Sequence, residues 1–109
     1  MVTIVGLTGS IEVKHTDLGV RITINYNNDK KSEIDTDRLR IQYHWLSALV
    51  ARENERKCLE TECKVELVTK AGLLYIEPPW TPLTTTKGQV ILNKVQVEQF
   101  KNALRQESY

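Results

Sequence analysis

Ser10, His15 and Asp17 are the residues of this chain that come nearest to a hydrolytic set: a hydroxyl nucleophile, an imidazole base and a carboxylate to orient it. They lie along one expected strand and the turn after it, so their spacing gives no reason for the side chains to converge. The simpler reading is a histidine at the end of a surface strand. His44, between Tyr43 and Trp45, falls on the wet side of an expected helix and reads as a solvated histidine. Asp35-Thr36-Asp37 offers oxygen ligands, but helix capping accounts for it, and a calcium loop needs more ligands at regular spacing. Cys58 and Cys63 form no Cys-x-x-Cys arrangement. In a chain without an export signal they read as reduced thiols, or as one small loop closure if oxidised. A closed zinc site would need both histidines as well, and neither has tandem spacing to a cysteine. The glycines stand singly at 6, 9, 19, 72 and 88, so no phosphate loop is present, and no serine occupies a nucleophile elbow. The inventory points away from an enzyme and implies no cofactor and no metal.

Recognition is the chemistry that remains. Glu77-Pro78-Pro79-Trp80-Thr81-Pro82-Leu83 holds all three prolines and one of the two tryptophans. Proline fixes φ and biases the preceding residue towards extended geometry, so this stretch is expected to be a stiff arm. Such an arm presents an aromatic with little backbone entropy left to lose. It would equally serve as a plug over the protein's own sheet. As a docking element it would use Tyr75, Trp80 and Leu83 as anchors, with Pro78, Pro79 and Pro82 holding the shape.

The alternative surface is a single-stranded nucleic-acid site built from Arg21, Lys30, Lys31 and Tyr26, through phosphate contact and base stacking. Only 6% of the residues are aromatic, however, and fifteen basic against fourteen acidic residues leave a net charge of +1. That balance gives weak electrostatic capture of nucleic acid or of an anionic membrane.

A chain of 109 residues is expected to be one domain, burying roughly 65% of its unfolded surface without staples. No apolar run approaches the ~20 residues of a membrane span, and the N-terminal residues show no basic region followed by an apolar stretch. A cytoplasmic protein is the expectation.

The elements that must position these residues follow from periodicity. Val2 to Leu7 is a short apolar run, and Ser10 to His15 alternates with Ile11 and Val13 on one face. Val20 to Tyr26 alternates with Val20, Ile22, Ile24 and Tyr26 inward. Asn27 to Lys31 reads as a polar connector. A long helix is expected from about Thr36 to Arg56, with an apolar arc broader than the ~100° of a helix lying on a single core. Strands return over Lys64–Val68 and Leu73–Ile76, joined by a turn at Thr69–Gly72. Pro78 to Gly88 is one irregular stretch, longer than the usual connection. After a short strand at Gln89–Leu92, Asn93 and Gln96 form a capping box that opens a helix to about Gln106, with Val97, Phe100 and Leu104 buried.

The expected fold is thus α+β: antiparallel sheet structure with two helices in the order β-β-(β)-α-β-β-(β)-α. The chain divides near Arg56 into halves 1–56 and 57–109. Lys31-Ser32-Glu33-Ile34-Asp35-Thr36 and Lys87-Gly88-Gln89-Val90-Ile91-Leu92-Asn93 rhyme as basic residue, small residue, short strand and cap, which suggests a weak internal duplication. In order of elements alone, the doubled strands-then-helix unit resembles the PUR-repeat and Whirly class of single-strand-binding proteins, a likeness of fold that rests on no shared motif. The expected function is a small non-enzymatic adaptor or regulator that binds another protein and self-associates as a homodimer. Single-strand nucleic-acid binding is the alternative.

Overall fold

The computed structural model describes residues 1–17, 19–36, 55–58, 64–79 and 88–105. They form β1 (Val2–Val5), β2 (Ser10–Thr16), β3 (Gly19–Asn25), β4 (Lys31–Thr36), β5 (Arg56–Cys58), β6 (Glu66–Lys70), β7 (Leu73–Glu77), β8 (Val90–Leu92) and a helix, α1 (Lys94–Arg105). The strands make two four-stranded antiparallel sheets, β1-β2-β3-β4 and β5-β6-β7-β8.

The mixed α+β class is as expected, but the described residues carry one helix rather than two. The expected span of the first helix meets a strand at either end: Thr36 closes β4 and Arg56 opens β5, while 37–54 lie outside the described residues. The proposed division at Arg56 therefore falls inside β5. β5 is hard to see in the sequence because it is an edge strand, paired on one side only among the described residues. β4, the other edge strand, contains the short strand expected within Lys31–Thr36: it buries Ile34 and leaves Lys31, Glu33 and Asp35 exposed, with Asp35 and Thr36 continuing the strand rather than capping a helix.

Period two decides which side chains are inside. Ile11, Val13, Ile22 and Ile24 of the first sheet are fully buried, as are Leu67, Ile76, Val90 and Leu92 of the second. Each such burial contributes about 1.5–3 kcal/mol. α1 places Val97, Phe100, Ala103 and Leu104 into the same core and packs against β1, β2, β7 and β8, so it touches both sheets. Its N-terminus has the expected capping box, with Gln96 N–H donating to Asn93 Oδ1 at 2.9 Å and Asn93 N–H to Gln96 Oε1 at 2.9 Å. Near its C-terminus His15 Nε2 donates to the Ala103 carbonyl at 2.7 Å, satisfying an acceptor in the last turn.

The two sheets are joined by hairpin tips. Leu7 N–H, at the β1–β2 tip, donates to Ile91 O at 2.7 Å, and Ile91 N–H returns to Thr8 O at 3.1 Å. The β3–β4 turn grips the residue before β8: Asn27 N–H donates to Gln89 O at 3.2 Å, and Gln89 N–H to Asn27 Oδ1 at 3.0 Å. Contact this close leaves no room for a side chain at Gly6, where a Cβ would sit 2.5 Å from Ile91 O, or at two further glycines. A Cβ at Gly9, whose φ is 70°, would sit 2.7 Å from Asn25 O, and one at Gly88 would collide with the Asn28 side chain.

The β6–β7 hairpin closes through a two-residue loop, with Lys70 opposite Leu73. Ala71 and Gly72 have φ of 54° and 78°, the left-handed pair that a type I′ turn demands. Glycine adopts it freely, whereas alanine is strained there. Ala71→Asn, which creates the favoured Asn-Gly pair, is expected to raise stability by about 0.5–1 kcal/mol in chemical denaturation, and Ala71→Val to lower it.

Candidate functional site

The pairing of β5 to β8 sets Arg56, Val68, Tyr75 and Ile91 in one row across the second sheet, on the face opposite the buried Leu67, Ile76 and Val90. Val68, Tyr75 and Ile91 are half-buried, and Arg56 at the edge is exposed. The next row on this face is Cys58, Glu66 and Glu77. Arg56 Nη1 reaches diagonally to Glu66 Oε1 at 2.7 Å. The face is therefore an apolar stripe with the carboxylates of Glu66 and Glu77 on one side and the exposed Lys70, opposite Leu73, on the other.

β7 delivers this stripe to the proline stretch. Tyr75 stands two residues before Glu77, and Pro78 and Pro79 continue half-buried from the strand end. Glu77 is only 8% exposed and accepts a hydrogen bond from Gln89 Nε2 at 2.8 Å. These two residues flank the segment from Pro78 to Gly88 in the sequence, so their contact ties its ends together. Of the expected partner-binding residues, Tyr75, Pro78 and Pro79 are brought to one end of β7; Trp80, Pro82 and Leu83 lie outside the described residues. Sequence reading missed Val68 and Ile91, which join Tyr75 only through register. It also missed the Glu77–Gln89 tie, whose only sequence signal is that a carboxylate and an amide bracket the prolines.

The alternative site is divided between two faces. Arg21 and Lys31 project from the outer face of the first sheet, whereas Tyr26 is buried at 6% exposure and its hydroxyl donates to Ser32 Oγ at 2.9 Å. Arg21 is paired directly across the strands with Asp35, Nε to Oδ1 at 2.9 Å. That bond holds the Asp35 carboxyl below its usual range and the Arg21 guanidinium above it. Lys14, Arg21 and Lys31 share the face with Glu12, Glu33 and Asp35, so its charges interleave and balance. Lys30 is exposed in the turn, with its N–H donating to Asn28 Oδ1 at 3.2 Å.

Ser10 and His15 project to opposite faces of β2, as their odd separation requires. Ser10 Oγ accepts from Asn25 Nδ2 at 3.3 Å, while His15 is occupied with Ala103, so no triad assembles. Asp35 is a strand residue paired with Arg21 rather than a helix cap. His44 lies outside the described residues. Cys58 is disulfide-bonded, which selects the oxidised alternative over reduced thiols, and Cys63 is the one other cysteine in the sequence. Disulfides persist in oxidising compartments, so Cys58 gives the expectation of a cytoplasmic protein no support. Among the described residues, no helix is long and apolar enough to cross a membrane.

The chain matches no family model and no curated protein.

Two outcomes test that geometry. Gln89→Met removes the partner that holds the buried Glu77 at the base of the proline stretch, and should cost about 1–3 kcal/mol in urea denaturation. Tyr26 is held above its ordinary phenol value of 10.0, chiefly by burial and further by the Glu77 charge, with the Ser32 bond acting the other way. A raised folded pKa favours the native state while the phenol is protonated, and that contribution fades as pH climbs past the point where an unfolded tyrosine ionises. Tyr26→Phe should lose about 1 kcal/mol at neutral pH, the worth of one hydrogen bond. The gap to wild type should then close in denaturation curves measured above about pH 10.

Proposed function

We propose that this protein is a small non-enzymatic binding module, an adaptor or regulator, that captures another protein on the outer face of its second sheet. The observation that carries the reading is the half-exposed row Val68–Tyr75–Ile91 running beside the start of the Pro78–Pro79 stretch. Tyrosine and tryptophan are enriched among the residues that dominate interface energies, and they act best when held rigidly. Tyr75 is held in the β-ladder, and the Gln89–Glu77 hydrogen bond joins the residues on either side of the proline stretch. Trp80 and Leu83 would extend the apolar surface beyond Tyr75, with Pro82 stiffening the segment between them.

The balanced charge of the first sheet's outer face favours this reading over nucleic-acid binding. A phosphate backbone is held by uncompensated cations, and Arg21 already has its carboxylate.

The test is affinity capture from an extract of the source organism with wild-type protein, Tyr75→Ala and Trp80→Ala, each checked first by circular dichroism melting. A partner retained by the wild type should bind each variant about 30-fold more weakly or worse, the scale of a 2 kcal/mol anchor. Equal retention by all three would sink the proposal, and so would a Trp80→Ala variant that melts far below wild type, because the arm would then be core. Salt-dependent binding of a labelled single-stranded oligonucleotide in fluorescence anisotropy would favour the other surface.

A further inference from the structure

We infer that the outer edge of β1 is a homodimer interface, through which two copies of this chain join their first sheets into one antiparallel sheet of twice the width. This gives the expected self-association a surface of its own, distinct from the Tyr75 face. β1 hydrogen-bonds to β2 on one side, and on the other it has no strand partner among the described residues. Such an edge presents a row of unpaired backbone donors and acceptors, which strand proteins normally guard with charge, proline or a bulge. The opposite edge of the same sheet, β4, is guarded in this way by Lys31, Glu33 and Asp35. β1 reads Val-Thr-Ile-Val, and no charged side chain occurs between Met1 and Ser10.

The surroundings of this edge are apolar as well. Among the described residues the exposed large apolar side chains are Met1 at 80%, Val5 at 67%, Leu7 at 55% and Val95 at 66%. Three belong to β1 and its flanks. The fourth stands in the first turn of α1, which packs against β1 and follows the strand that Leu7 bonds.

A second copy is the occupant that fits. A twofold axis brings each residue near its own counterpart, so a symmetric strand pair tolerates an uncharged edge and rejects a charged one. Keeping Ile4 on the buried face of both copies requires partners of equal parity. Centring the axis on Thr3 meets that requirement. Thr3 then faces the second copy's Thr3, Val2 faces its Ile4, and the two most exposed side chains, Met1 and Val5, cover each other across the axis.

Sedimentation velocity over about 10–300 μM, a range suited to a small interface, should show the mass rising from 12.5 kDa towards twice that value. Thr3 is exposed, so charge can be placed at the axis without touching the core. Thr3→Lys and Thr3→Glu should each weaken self-association by about 10-fold or more, and an equimolar mixture of the two should restore it as a mixed dimer. Tyr75→Ala, which tests partner capture, should leave the dimer intact. A protein monomeric throughout the range would overturn the inference and leave the edge to a strand from another protein. Single variants that dimerise like wild type, or a mixture that stays monomeric, would overturn it too. In the unmutated protein, hydrogen exchange of the Val2–Val5 amides should slow as concentration rises, and concentration-independent exchange would count equally against it.

Discussion

The grip of the first sheet's two hairpin tips on Gln89, Val90 and Ile91 is the constraint on which the rest depends. β8 has only three residues and would be a weak strand alone. It is held by β7 on one side and by Leu7 and Thr8 on the other, with Asn27 fastening Gln89 just ahead of it. These main-chain bonds let one helix serve both sheets, because α1 begins immediately after β8 and packs across β1, β2 and β7 as well. The same grip fixes Gln89, and through its amide the buried Glu77. The Tyr75 face, the base of the proline stretch and the start of α1 are therefore referred to a single set of backbone contacts. Gly9 and Gly88 are required there by distance of approach, since any side chain would push the sheets apart.

How legible this was depended on how far apart in sequence the deciding partners lie. β2, β3, β7 and α1 were readable because each carries its own pattern: alternation in Val20 to Tyr26, a helical stripe at Val97, Phe100 and Leu104, and a capping box at Asn93. β4 showed only as a short strand before a supposed cap and β5 not at all, because an edge strand needs few buried side chains and borrows its identity from its neighbour. Asp35 shows the failure most clearly. Read locally, it is a helix cap; opposite Arg21, fourteen residues away, it is the acceptor of a cross-strand ion pair. The site was legible to the same degree. Composition pointed to the prolines and Tyr75, but Val68 and Ile91 join them only through register, and Glu77 and Gln89 meet only because the chain returns.

Electrostatics explains why the two outer faces differ in what they can do. On the first sheet each cation has carboxylates as neighbours in its row or the next, and the exposed Arg21–Asp35 pair adds little to stability but leaves no net field to draw a polyanion. On the second sheet Glu66 and Glu77 are largely withdrawn from water, one bonded to Arg56 and the other to Gln89. What they leave between Arg56 and Ile91 is uncharged. An uncharged row of this kind would discriminate by shape and apolar fit, the basis of the proposed recognition of a protein partner.

The two edges of the first sheet repeat this logic in the backbone. A strand edge is an unspecific template, and a protein that leaves one open without guarding it risks indiscriminate pairing. β4 carries alternating charge of both signs, so any strand laid beside it must match Lys31, Glu33 and Asp35 in turn. β1 imposes no such condition, but it is short, and Gly6 ends it where the chain must turn towards Ile91. In the proposed dimer, a pair closed about a twofold axis uses the β1 edge of each copy completely and leaves none for a third strand. The contact that turns the chain at Leu7 to hold the sheets together thus also limits the length of β1, and with it the extent of the proposed strand pairing.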